Sequence, residues 1–406
     1  MSAIEAAAAG ELGSFAGDLA CPSCGARGLS VFHEQRDIPV HSVRLVETYE
    51  EARTFPRGQL ALGFCGACGF VTNTAYDPAP QDYSISYEET QGFSPRFREF
   101  SRELAGRWVR RYGLQSKRVV EIGSGKGEFL ADMIAHGVDS AVGIDPSYDG
   151  RLTGPAAERI EFITDYYSSE HARLAADAVL CRHTLEHIHQ TGELVRLVRR
   201  SLEDRPDTPV LFELPDVLRV LREVAFWDIY YEHCSYFTSG SLARLFRLSG
   251  FDVLDLELDY DDQYILLEAR PAKDRPTGPL EVEEPVAEVA DAVASFRRSF
   301  AETKRSWTER VAAARADGKR VVIWGAGSKG VSFLTTLGIE REIEYAVDIN
   351  PLKAGKFMAA TGQRVVGPDF LREYRPDLVI AMNPIYLEEI GAQLSSMGLD
   401  PELIGA

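Results

Sequence analysis

The sequence predicts an α/β protein with two Rossmann-like sheets behind a small N-terminal cysteine module. Three observations carry that prediction. Two stretches, RVVEIGSGKGEFLADMIAHG and KRVVIWGAGSKGVSFLTTLGI, each read as an apolar strand, a glycine loop and a helix. Each is followed by a strand that ends in an acid, in AVGIDPS and in EIEYAVDINP. Cysteines at 21, 24, 65 and 68 form two CxxC pairs ahead of both.

The bulk numbers fit this plan. At 406 residues the chain exceeds what one hydrophobic core usually serves, so two or three domains are expected. Its 45% hydrophobic and 26% charged residues are those of a globular protein. A formal charge of −18 and a pI near 5.0 would repel phosphate backbones, which argues against a nucleic-acid partner. No apolar run reaches the roughly 18 residues of a membrane span. The N-terminal MSAIEAAAAGELGSFAG carries Glu5 and Glu11 and lacks a basic start, so the chain reads as cytoplasmic.

Taken in order, the first element is the cysteine module, residues 1–75. In CPSCG and CGACG a glycine follows the second thiol of each pair, where a knuckle turn needs backbone freedom. Two such knuckles aimed at one point make a closed four-thiolate site for a structural zinc, through Cys21, Cys24, Cys65 and Cys68. A disulfide is the weaker reading in a reducing compartment, and His33 and His41 read as ordinary loop residues.

A turn-rich connector spans 73–93, and SPRFREFSRELAGRWVRRYG then predicts a helix with Ser94 as N-cap, Pro95 at its first position and Gly113 as its stop. The first glycine-loop unit follows, with further strands in ADAVLCR and TPVLFELPD and helices near 191–203 and 239–249. An antiparallel hairpin, FDVLDLELDYDDQYILLEAR, closes an otherwise parallel sheet, which gives a domain at 76–270. Proline and charge in 271–285 mark a linker, a long amphipathic helix covers about 286–316, and the second Rossmann-like domain fills 317–406.

The two loops differ in spacing. EIGSGKG places Gly123, Gly125 and Gly127 after Glu121, and Asp145 ends the next strand, where a carboxylate suits ribose hydroxyls. Glu128 stands where a dinucleotide loop has its third glycine, which argues against a pyrophosphate. GAGSKG, 325–330, does satisfy GxGxxG, with Asp348 at a ribose distance, and on motif alone reads as NAD-binding or as a Rossmann-like fold kept for packing.

Chemistry concentrates in FWDIYYEHCSYF, 226–237, where six aromatic residues surround Glu232 and His233. The stretch follows a strand and so lies over the carboxyl edge of the sheet, where such folds bind ligands. CRHTLEHIHQ puts His183, Glu186 and His187 on the same edge, with helix capping and packing as the alternative. His189 reads as surface, and Cys181 and Cys234 as small apolar fillers.

The ExGxGxG loop resembles the S-adenosylmethionine loop of class I methyltransferases, and Asp165 in FITDYY falls where an acid often meets the adenine. With the cysteine module, the YxEHxSYF segment and a terminal GAGxKG and VDxNPxKxGKFM, the whole order resembles the sugar C-methyltransferases, from about Cys21 to Ile390. That resemblance implies a structural zinc, a class I methyltransferase sheet binding S-adenosylmethionine, and a terminal domain that helps enclose a nucleotide-linked ketosugar of deoxysugar or natural-product biosynthesis. It implies His233 as base, oriented by Glu232, with Tyr230 and His187 beside it. Tyr83 and Tyr87 correspond to pocket residues, though SYEETQGFSPRF departs from the family's pattern there. Tyr231 also stands where the family commonly has a second histidine. The alternatives are O- or N-methylation of another intermediate and, more remotely, an NAD-dependent enzyme using GAGSKG. Oligomeric state is not legible.

Overall fold

The structure is a computed structural model that describes residues 19–44, 46–81, 83, 88, 90–274 and 276–406; Glu5, Glu11 and Tyr87 lie outside the described residues. Three sheets organise it. The first is antiparallel: β1 (Ser30–Pro39), β2 (Arg57–Phe64) and β3 (Val71–Asn73) are ordered consecutively. Its fourth strand comes from far along the chain.

The central sheet contains β4 (Arg118–Ile122), β5 (Ser140–Ile144), β6 (Ile160–Ile163), β7 (Ala178–Arg182) and β8 (Val210–Pro215), all parallel. The distant strand that completes the first sheet is β9 (Ser235–Tyr236), paired with β3. The hairpin β10 (Phe251–Asp259) and β11 (Tyr264–Pro271) then adds antiparallel to β8, giving the order β10-β11-β8-β7-β4-β5-β6. This is the class I methyltransferase arrangement: a parallel Rossmann-like sheet ended by an antiparallel hairpin.

The third sheet, β12 (Val321–Trp324), β13 (Tyr345–Val347), β14 (Arg364–Val366), β15 (Leu378–Ala381) and β16 (Glu402–Gly405), is parallel throughout in the order β14-β13-β12-β15-β16. Local signals set the helices as expected. Ser94 accepts the Phe97 amide at the start of Pro95–Tyr112, and Gly113 stops it in the left-handed region.

The long helix Val286–Ala316 is not a free spacer, because Val289, Val293 and Phe296 are buried in the core that joins the first and third sheets. His33 is likewise no loop residue: it lies in β1, buried against Phe296 and Phe300. No described helix is long and apolar enough to cross a membrane.

Candidate active site

A cavity of about 1240 Å³ runs over the carboxyl edge of the central sheet and is lined by both glycine loops. A pocket for one small ligand usually holds roughly 300–1,000 Å³, so this one leaves room for two molecules. The loop after β4 forms one wall. Gly123, Gly125 and Gly127 all have positive φ, at 70°, 52° and 83°, which explains glycine at each. A Cβ on Gly123 would lie 1.9 Å from Thr184 Oγ1, and one on Gly127 would meet the Phe162 ring at 2.4 Å.

Gly123 and Gly125 line the cavity, whereas Gly127 sits behind it at the start of Glu128–Ala135. Asp145 ties the loop down, accepting from the amides of Gly125 at 2.8 Å and Ser147 at 2.7 Å. Each carboxylate oxygen keeps a further lone pair for a hydroxyl. Asp165 lies exposed on the same wall. Glu121 is buried at the end of β4, and burial pushes its carboxyl up to about 8. Its Oε2 has no hydrogen-bond partner among the described residues.

The opposite wall comes from β7 and from the aromatic stretch. Four of the six aromatic residues are core: Phe226 stacks on Phe333, Trp227 meets Trp307, and Tyr231 and Phe237 are fully buried. Tyr230, His233 and Tyr236 instead face the cavity. The His233 ring lies 4.2 Å from Tyr230 and 4.7 Å, perpendicular, from His187. Burial, with His187, His183 and Lys329 nearby, holds the His233 ring well below the usual imidazole range, so it is neutral and its lone pair is available. Tyr83 shares a hydrogen bond of 3.1 Å with His187 Nδ1.

This geometry places His233 by an unexpected route. Its chain continues directly into β9, and the Cys234 carbonyl accepts from the Asn73 amide and Thr72 hydroxyl, each at 2.9 Å. The Ser235 hydroxyl donates to the Ile188 carbonyl at 2.7 Å. The first sheet and the turn after β7 therefore grip the histidine from both sides.

Glu232 departs from its expected place. Its carboxylate accepts from the Ser42 amide at 3.0 Å and from the Ser42 hydroxyl, and pairs with His41 Nδ1 at 3.1 Å. It lines no part of the cavity and does not orient the His233 ring. A tight turn at Tyr231 and Glu232, closed by the Cys234 amide donating to the Glu232 carbonyl at 3.1 Å, separates the two side chains just before β9. His41 is correspondingly no ordinary loop residue but fully buried in that pair. His189, read as surface, is half-buried, stacks on Tyr76 and lines the cavity.

The same wall carries a polar cluster in which Arg182, His183 and Glu186 line the cavity over Glu213; His183 and Glu186 were expected on this edge, with capping and packing as the alternative, whereas Arg182 and Glu213 were not singled out. Arg182 forms a forked pair with Glu213, at 2.5 and 3.1 Å, and His183 Nε2 binds Glu213 Oε1 at 2.7 Å. Burial opposes every charge here, yet Arg182 and His183 hold Glu213 down to about 2, and Glu213 and Glu186 hold the His183 proton up to about 9. His183 also adopts a φ of 45°, rare for a residue with a side chain. Its position after an apolar strand was the available signal.

Away from the cavity, Cys21 and Cys68 Sγ lie 3.8 Å apart and Cys24 and Cys65 Sγ 3.7 Å apart, with no disulfide among them. All four sulfurs fall within 4.8 Å of one another. A tetrahedral site with Zn–S bonds of ~2.3 Å has edges of about 3.8 Å, so the donor set fits zinc. The knuckles match: the Gly25 amide donates to the Cys21 carbonyl and the Gly69 amide to the Cys65 carbonyl, with φ of 78° and 80° at the glycines.

Known proteins match the same layout. Residues 96–256 match the family described as a methyltransferase domain, and residues 279–400 match the C-methyltransferase C-terminal domain. The C-methyltransferase NovU of Streptomyces niveus is 30% identical over 310 residues, 71% of this chain and 72% of NovU. Among solved structures, the N,N-8-amino-8-demethyl-D-riboflavin dimethyltransferase RosA of Streptomyces davawensis is 20% identical, over 43% of this chain and 56% of its own, with a TM-score of 0.33. The 1,6-didemethyltoxoflavin-N1-methyltransferase of Burkholderia thailandensis, solved with S-adenosylhomocysteine, is 17% identical over 43% of this chain and 79% of its own, with a TM-score of 0.32.

Proposed function

This chain belongs to the S-adenosylmethionine-dependent C-methyltransferases, and from that premise we propose that its acceptor is a nucleotide-activated ketosugar, methylated at a carbon next to the carbonyl. The observation that carries this reading is the shared cavity, in which a neutral imidazole and the loop after Glu121 face one space. Glu121, Gly123, Gly125, Asp145 and Asp165 would hold the cofactor, Gly127 supporting the loop from behind. When bound, S-adenosylmethionine supplies an electrophilic methyl group and leaves as a neutral thioether.

The chain's own residues would do the rest. His233 takes the proton from the acceptor carbon, and the bonding pair moves toward the carbonyl oxygen as an enolate. His187 and Tyr230 line the same cavity and would donate to that oxygen. Burial holds the Tyr230 hydroxyl well above its ordinary range, so it keeps its proton and acts as a donor. Methyl capture at carbon restores the ketone, and His233 returns its proton to solvent. The third sheet roofs the remaining volume with Trp324, Lys329, Asn350 and Tyr386, where the nucleotide would lie.

Zinc in the four-cysteine site would be structural, since four protein thiolates leave no open position. In this reading residues 1–75, 76–270, 271–316 and 317–406 are metal module, catalytic domain, bracing helix and lid. Solvent deuterium tests the chemistry. Incubating ketosugar acceptors with the protein in D₂O, with S-adenosylhomocysteine in place of the methyl donor, is expected to place deuterium at the acidic carbon of the recovered acceptor, and His233→Ala to abolish both this exchange and methylation while cofactor affinity stays within about twofold. A product methylated on oxygen or nitrogen without exchange would overturn the proposal.

A further inference from the structure

We infer that Glu186, rather than Glu232, is the carboxylate partner of the His187 and His233 pair, a positioning residue that favours the protonated form of His233 during turnover. The inference rests on the reading of His233 as base. Glu186 sits in the 3-10 turn Leu185–His187 at the end of β7, 2% exposed. Ligating atoms of Glu186, His187 and His233 all lie within 4.8 Å of one another. Neither carboxylate oxygen of Glu186 has a hydrogen-bond partner among the described residues.

A buried carboxylate in that condition is strongly disfavoured unless positive charge stands close. In the resting site the nearby positive group is His183, with Nδ1 3.6 Å from Glu186 Oε1. Arg182, Glu213, His183 and Glu186 thus form a row of alternating sign that ends at the cavity wall. The Cys234 Sγ contact to the Glu186 carbonyl, 3.8 Å, and the Ser235 bond to Ile188 fix the turn against the His233 segment.

His233 needs such a partner. The groups around it are His187, His183, Lys329, Tyr230, Tyr236 and Glu186. His187, His183 and Lys329 all oppose protonation of His233, and the nearby Asp228 carboxylate is taken up by Lys329 at 2.8 Å. An isolated ring in this setting is a feeble base. When His233 gains the acceptor's proton its new positive charge is offset by the Glu186 anion. No bond to Glu186 forms or breaks, and the proton leaves later through His233.

The test uses the full-length, zinc-loaded protein carrying Glu186→Gln or Glu186→Asp. For Glu186→Gln, kcat is expected to fall at least about tenfold, cofactor Kd to stay within about twofold, and the acid limb of the kcat/KM profile to move about 1 unit lower. Glu186→Asp should recover part of the rate and the limb. An unmoved limb with near-normal kcat in Glu186→Gln would overturn the inference. So would a second zinc or manganese ion bound per chain by the unmodified protein and lost in Glu186→Gln, because the three groups would then be metal ligands. Full turnover by His233→Ala would instead sink the underlying assignment of the base, which separates the two failures.

Discussion

The two glycine loops of this chain are built alike and equipped differently. After β4, Asp145 accepts the amides of Gly125 and Ser147; after β12, Asp348 accepts the amides of Ala326 at 3.0 Å and Asn350 at 2.9 Å. The carboxylate in each case clamps its own loop to the next strand. Asp348, however, also holds the Lys353 ammonium at 3.1 Å, so its charge is answered within the protein. No lysine or arginine is paired with Asp145 among the described residues. The strand ends differ too: two residues before the first loop glycine stands the buried, cavity-lining Glu121, and at that place in the second loop stands the apolar Ile323. The first loop thus keeps its clamping acid without a basic partner among the described residues, while the second pairs its acid with Lys353.

The sharpest way to break this comparison is to add one methyl group to each loop. Gly123→Ala would force a Cβ into Thr184 at a φ of 70°, so cofactor affinity is expected to fall at least about 100-fold, or about 2.7 kcal/mol. Gly327→Ala meets nothing nearer than Lys353 Nζ at 3.8 Å, at a φ of −108°, and should leave calorimetric cofactor affinity unchanged. Equal losses in both variants would erase the distinction.

A smaller effect follows from the clamping acids. Asp145→Asn removes a charged acceptor for hydroxyls and is expected to weaken cofactor binding about 10- to 100-fold, at roughly 1.5–3 kcal/mol for such hydrogen bonds. Asp348→Asn should leave that affinity within about twofold while lowering thermal stability, since Lys353 loses its partner.

The smallest effect is in pH. Burial raises the Glu121 carboxyl to about 8, so below that pH the free protein carries it protonated. A bound sulfonium cation favours the ionised form, so binding releases a proton. Cofactor affinity is therefore expected to rise up to about tenfold per unit as pH increases toward 8, then level off. Calorimetry in two buffers of different ionisation enthalpy measures that proton directly. Glu121→Gln should flatten the profile, and a flat profile in the unmodified protein would show that the cation does not sit against Glu121.

Much of this arrangement was legible in the chain. Knuckle turns, the Ser94 cap, the Gly113 stop and the positive-φ glycines of the first loop are decided within a few residues, by backbone sterics and local hydrogen bonds. The apolar strands and the closing hairpin follow from short-range periodicity. Both glycine loops, His233, His187 and Tyr230 were accordingly found where their motifs put them, on one cavity wall or another.

Sequence by itself determined which turns and strand ends the candidate residues sit on. Tertiary structure alone decided who faces whom. Glu232 is the chain neighbour of His233 yet turns toward Ser42, while Glu186, 47 positions earlier, comes beside the ring because the strand order lays the β7 turn against the segment entering β9. The turn at Tyr231 and Glu232 sends neighbouring side chains apart, and contacts between distant segments depend on how whole sheets stack, which no local pattern encodes.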